Sequence, residues 1–277
     1  MANRKKLLGI YAVMSVVVVA VAFPVIWMFI MSIKSADELY QFPPTIWPEN
    51  LEIGNYTKAL IEAGIDKGLF NSLVLAAGTV LVSVAFSIPA AYALAKYDFK
   101  GKTILLLAIL ATQLIPGMAA IVPLFDILQR LHLVNTFSGL VLIYTARTLP
   151  LNIWILKGFF QSVPNDLIES AMVDGSSKLV SLYRVALPLA LPGIGAAAMF
   201  TFIQTWTDFI LPLTMLFNEE KFPFSVMLYK FVGDPIMGTN YGVLFAAASI
   251  GTIPTLMIFI LLQRFFVQGL TAGGVKG

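Results

Sequence analysis

From Leu7 to Ile33 the chain carries no charged side chain. Runs of this kind recur along its length. Residues 68–95, 103–125 and 235–263 are uncharged, 137–156 is interrupted only by Arg147, and 189–215 only by Asp208. A helix that crosses a bilayer needs about 20 apolar residues. Inside lipid every backbone polar group must find a partner within a helix or a closed barrel. These runs are continuous rather than alternating, so helices are favoured over barrel strands. The sequence therefore predicts an all-α polytopic membrane protein with six transmembrane helices. The expected spans lie at about 8–33, 69–95, 103–124, 137–156, 189–214 and 241–263, within one transmembrane domain over 1–277. Composition agrees: 58% of residues are hydrophobic and 12% charged, against roughly 25% charged in soluble domains.

Arg4, Lys5 and Lys6 precede the first run, as in a signal peptide. That run is long and no small-residue cleavage site closes it, so a retained first helix is expected. Six spans place both ends on one side, and positively charged loops choose the side. With cytoplasmic ends, the inner segments hold eleven of the 18 basic residues and four of the 15 acids. That asymmetry predicts cytoplasmic termini and a cytoplasmic loop at 157–188.

Several chemistries are excluded or unsupported. The chain has no cysteine and one histidine, His132, so neither a disulfide framework nor a thiolate or multi-histidine metal centre is available. A net charge of +3 gives no footprint for nucleic acid. Gly101-Lys102-Thr103 resembles the end of a phosphate-binding loop, but Lys96 stands where its first glycine is required. No nucleotide site, catalytic residue, cofactor or metal is expected on this chain, and Lys96, Lys100 and Lys102 read as positive-inside anchors. Each expected span contains a proline, namely Pro24, Pro89, Pro116, Pro150, Pro192 and Pro254. Prolines kink helices, and the small residues near them permit close helix packing. Bundle packing and a gating role both remain open for them.

The loop 157–188 holds a short amphipathic pattern. Ser162 or Asn165 can cap a helix that Pro164 starts, with Asp166 and Glu169 near its N-terminus. Leu167, Ile168, Ala171 and Met172 form an apolar stripe, and Gly175 suits the left-handed position that ends a helix. Such a helix either lies on the membrane surface or docks in a groove of a partner.

Glu169-Ser170-Ala171, then Gly175, then Leu187-Pro188, resembles the EAA loop of permease subunits of ATP-binding-cassette importers, with Ser170 in place of the commoner alanine. Trp206-Thr207-Asp208 is similar to a feature of carbohydrate permeases. The run from Gln263 to Gly277 resembles the tail of the shorter maltose-type permease. The resemblance covers essentially the whole chain. It implies a pore subunit of a binding-protein-dependent sugar importer in a prokaryotic plasma membrane. The coupling residues would be Glu169, Ser170, Ala171, Met172, Asp174 and Gly175, docking in a cleft of a cytoplasmic ATPase. Gln268, Gly269, Gly273 and Gly274 of the tail would also meet the ATPase. The implied partners are a second permease, two ATPase subunits carrying ATP and Mg, and an extracytoplasmic sugar-binding protein.

Arg147 and Asp208 are the two charges within the expected spans. Intramembrane charge is costly and faces protein or water, so they either line the pore or form a structural pair. Thr112, Gln113, Tyr144, Asn152, Gln204 and Trp206 are polar or aromatic candidates near the middle of spans, with no residue assigned to sugar. Two other readings stay open: an ion-driven secondary transporter, which calls for paired repeats and titratable mid-membrane groups, and a membrane scaffold without transport.

Overall fold

The computed structural model describes residues 2–232 and 240–274, with the side chains of 2–5, Leu8 and 264–274 outside the description. All regular structure among the described residues is helical. The principal helices are α1 (Ala2–Ser32), α2 (Ile65–Lys96), α3 (Lys102–Ala111), α4 (Ile121–Arg130), α5 (Phe137–Ser162), α6 (Asn165–Val173), α7 (Lys178–Leu189), α8 (Leu191–Thr207), α9 (Ile210–Met215) and α10 (Tyr241–Gly274). Four segments are long and apolar enough to cross a membrane: Gly9–Ser32, Ile65–Lys96, Phe137–Ser162 and Tyr241–Gln263. α7 and α8 together pass the same test but meet at a 78° bend. The chain is an all-α polytopic membrane protein.

The third apolar run differs from the continuous helix predicted over 103–124. α3 tightens into a 3₁₀ turn over Thr112–Leu114 and then stops. Ile115, with φ −73° and ψ 119°, is extended, as a residue before proline prefers. Pro116 and Gly117 follow, and the chain re-enters a helix only at Ile121. α4 is then amphipathic: Leu128 is buried, Val122 and Ile127 are exposed, and Asp126 pairs with Arg130 at 2.8 Å. Pro24, Pro89 and Pro150 leave their helices unbroken. At Pro116 the helix opens, and Leu114 and Met118 on either side are both exposed. The fifth run also breaks, at Asp208-Phe209, between α8 and α9.

The contacts divide the chain into two compact units. The first comprises 1–66 and 227–253. Here the chain beyond α1 folds around Lys34, whose side chain is 1% exposed. Its ammonium donates to the carbonyl and hydroxyl of Thr45 and lies 3.6 Å from the Glu38 carboxylate. Glu38 also accepts from the Thr45 hydroxyl and from the Glu49 amide at 3.2 Å. The hydroxyl of Thr45, with the Glu49 amide and the Lys34 charge, holds the Glu38 carboxyl below its ordinary value despite burial. Asn55 donates to the carbonyls of Ser32 and Lys34, and the bare Gly242 leaves room for its amide.

The second unit comprises 67–226 and 254–277. One apolar core joins Tyr92 and Leu94 of α2, Ile153, Leu156 and Phe160 of α5, Ile168 of α6 and Leu182 and Ala186 of α7. A second joins Leu75, Leu128, Leu140, Ile143 and Tyr144 to Leu211 and Met215 of α9. α8 lies against α5, and a Cβ added at Gly193 would overlap the Phe159 ring. Lipid gives little apolar drive between helices, so close packing and interhelical hydrogen bonds matter more. Asn152 supplies such bonds. Its Nδ2 donates to Ser83 of α2 at 2.9 Å and to Thr201 of α8 at 2.7 Å, and Ser83 meets Thr148 at 2.9 Å. Three helices are thereby tied through one fully buried side chain.

Candidate functional site

Two features of the second unit can act on something outside the chain. The first is α6 and its flanks. The nine-residue helix starts after Pro164, which takes the cap position and offers no side-chain cap. The expected caps are used otherwise. Ser162 bonds back to the Phe159 carbonyl, and Asn165 Oδ1 accepts from Lys96 at 2.8 Å. Lys96 also donates to the Val163 carbonyl. Thus Lys96, read from sequence as a positive-inside anchor, also ties the end of α2 to the start of α6. Its sequence neighbours gave no hint of this, because the partner groups lie 67 and 69 positions away.

The apolar stripe of α6 is split. Ile168 enters the core and Ala171 is half-buried. Leu167 and Met172 stay exposed, as does Val173 at 87%. Glu169, Ser170 and Asp174 are also exposed. The helix ends on a Schellman turn. Gly175 has φ +89°, its amide donates to Met172 at 3.0 Å, and the Ser176 amide donates to Ala171 at 3.0 Å. Below α6 a small cavity of about 110 Å³ lies between Tyr92, Lys96, Tyr97, Glu169 and Lys178. Lys178 stacks its ammonium 5.1 Å from the Tyr97 ring.

The second feature is a cavity of about 760 Å³. The break at 115–120 forms one wall, α5 contributes Ile143 and Arg147, and the α8–α9 break contributes Gln204, Thr207 and Asp208. Non-helical backbone at membrane depth is tolerated where it is buried in protein or lines a water-filled space. Both breaks border this cavity. Arg147 and Asp208 are brought together, with Nη1 2.6 Å from Oδ2. Gln113 of the 3₁₀ turn donates to the Arg147 carbonyl at 3.0 Å. Of the other polar candidates, Thr112, Gln113 and Gln204 line this space. Tyr144, Asn152 and Trp206 are buried in the packing instead. The side chains of Gln268, Gly269, Gly273 and Gly274, in the tail, lie outside the described residues, although the α10 backbone reaches Gly274.

α5 connects the two features. It carries Arg147 at the cavity, Asn152 in the polar network and Phe160 in the core shared with α6. At 1.5 Å per residue, Arg147 and Val163 are about 24 Å apart along its axis.

Residues 83–272 match the family of binding-protein-dependent transport system inner membrane components. The chain belongs to that family. The match spans α5 to α8 and both features just described. Relatives agree along nearly the whole length. The sulfoquinovosyl glycerol transport system permease of Agrobacterium fabrum is 34% identical over 95% of this chain and 92% of its own. The trehalose/maltose transport system permease of Thermococcus litoralis is 33% identical over 92% of this chain and 91% of its own. A diacetylchitobiose uptake permease of Streptomyces coelicolor is 32% identical over 95% of this chain and 94% of its own. Among solved structures, a chain of a bacterial ABC transporter involved in alginate import has the same fold. It matches with a TM-score of 0.82 and 22% identity over 96% of this chain and 98% of that one. Family members are inner-membrane permease components of binding-protein-dependent transport systems.

Proposed function

We propose that this chain is a pore-forming permease subunit of an ATP-driven importer for saccharides. The observation that carries the reading is the pairing of a half-exposed coupling helix with a membrane cavity through one packed helix. α6 is anchored by Ile168 and Lys96, yet leaves Leu167, Met172 and Val173 uncovered. An exposed apolar face beside a carboxylate suits a groove on a partner. The ATPase subunits implied by the EAA-like loop are that partner, and they carry ATP and Mg. Closure of the ATPase pair would push α6, and α5 would carry the displacement toward the cavity. Saccharide is the cargo class because the relatives' names point to sulfoquinovosyl glycerol, trehalose, maltose and diacetylchitobiose.

The assembly has a second permease to complete the pore and an extracytoplasmic binding protein to deliver the sugar. The termini and α6 face the cytoplasm, where positively charged loops are retained. Glu169, Ala171 and Gly175 form the coupling contact, with Gln268, Gly269, Gly273 and Gly274 reaching the same ATPase. The test is purification of the tagged chain from its native membrane in mild detergent, with the co-purifying subunits identified and ATP hydrolysis measured. A second permease and an ATPase, with hydrolysis raised by a sugar-loaded binding protein, are expected. A chain that purifies alone and moves sugar on an ion gradient without ATP would overturn the proposal.

A further inference from the structure

The large cavity has two charged residues in its lining, Arg147 and Asp208, and they face it unequally. Asp208 is 11% exposed and Arg147 46%. Both carboxylate oxygens of Asp208 are occupied. Oδ2 accepts from Arg147 and Oδ1 accepts from the Leu211 amide at 3.0 Å, which caps α9. The guanidinium has five N–H donors, and its contact with Asp208 engages one. The cavity thus meets a donor fork whose charge has already been cancelled behind it.

Acceptors stand beside this fork. Gln113 spends its Nε2 on the Arg147 carbonyl, which leaves its side-chain oxygen available. The hydroxyls of Thr112 and Thr207 donate along their own helices, to Ile109 at 2.7 Å and to Ile203 at 2.8 Å. Their lone pairs remain to accept. A sugar hydroxyl is both donor and acceptor, so a donor fork ringed by acceptors fits it. A carboxylated sugar fits less well. A guanidinium binds carboxylates well, but the charge of this one is already balanced by Asp208. A second anion would need to displace it or leave the site with a net negative charge.

We propose that Arg147 is a substrate-contacting residue of this subunit, binding the hydroxyls of an uncharged saccharide, with Asp208 as the positioning residue that cancels its charge. This rests on the saccharide-importer reading above. This chain thereby takes its own share of substrate recognition, in addition to forming the wall of the pore.

The test uses the whole complex purified with its partners and reconstituted in vesicles loaded with ATP. The vesicles are offered a mixture of uncharged and uronate di- and trisaccharides together with the binding protein. Mass spectrometry reads the sugars inside, and phosphate release is followed in parallel. The native complex is expected to accumulate uncharged sugars. The paired change Arg147→Gln with Asp208→Asn leaves no charge unpaired. It is expected to keep ATP hydrolysis while the sugar moved per ATP falls at least tenfold. A purely structural pair predicts something else: sugar per ATP unchanged, or hydrolysis and transport lost together. Either result overturns the proposal, as does preferential uptake of uronates by the native complex. Should the double variant fail to assemble, Thr207→Val removes one acceptor and is expected to lower sugar per ATP severalfold, and no change there also overturns it. Uptake of neither class by the native complex would sink the importer reading itself, which is a separate outcome.

Discussion

Replacing Gly175 by residues with a Cβ is expected to loosen the end of α6 in a graded order. Gly175 sits at φ +89° with no atom within 4 Å of the place a Cβ would take. A steric clash with neighbours therefore plays no part, and the penalty is conformational. For an ordinary L-residue the left-handed region costs about 1–2 kcal/mol. At 1.4 kcal/mol per decade this is roughly a 5- to 30-fold shift toward the open turn. The bonds at stake are the two that close the turn, Gly175 to Met172 and Ser176 to Ala171. Hydrogen exchange of the purified complex, followed by mass spectrometry over Leu167–Ser177, reads this directly. Protection is expected to fall in the order Gly, Asn, Ala, Val, because asparagine tolerates the left-handed region better than alanine and a β-branched residue worse. Sugar transported per ATP is expected to fall in the same order, since the coupling helix then presents its exposed face less often. Gly175→Val exchanging within twofold of the native chain would refute the conformational argument. A loss of transport without any change in exchange would refute the link from turn to coupling.

Three further outcomes follow from the packing. Asn152→Asp places a carboxylate at a fully buried site between three helices. It should cost more than 3 kcal/mol unless the group is neutralised, read as loss of monodisperse protein in detergent, whereas Asn152→Ser should remain monodisperse. Lys96→Met removes the tether to Val163 and Asn165. Faster exchange confined to the start of α6 and severalfold less sugar per ATP are expected, and unaltered exchange there would argue against the tether. Glu38 has a carboxyl held below its ordinary value, first by the Thr45 hydroxyl and then by the Glu49 amide and Lys34. The sign follows from linkage: the stabilisation is complete above the unfolded value of about 4.3 and disappears as pH falls through the lower folded value. Exchange protection of residues 34–57 should therefore hold from neutral pH down to about 5 and fall below about 4, and Glu38→Gln should abolish that dependence.

Much of the architecture is written locally. Uncharged runs longer than a bilayer is thick force helices, since lipid offers backbone groups no other partner. The left-handed glycine ending α6 is equally local, because a single residue type meets that conformation without cost. The EAA-like spacing around Glu169 and Gly175 needed no more than the primary sequence. The third run shows where such reading ends. Six runs each carry a proline, yet the helix opens at Pro116 and persists at Pro89 and Pro150. A proline by itself does not decide, since Pro24 too lies within an unbroken helix. Only the fold could pair Arg147 with Asp208 across 61 positions, place Lys96 against the start of α6, and gather Ser83, Thr148, Asn152 and Thr201. That this chain lives in a membrane as helices can be read from its residues, because solvent chemistry acts on each segment separately. Which polar groups face the cavity and which hold helices together depends on partners far away along the chain, so it emerges only on folding.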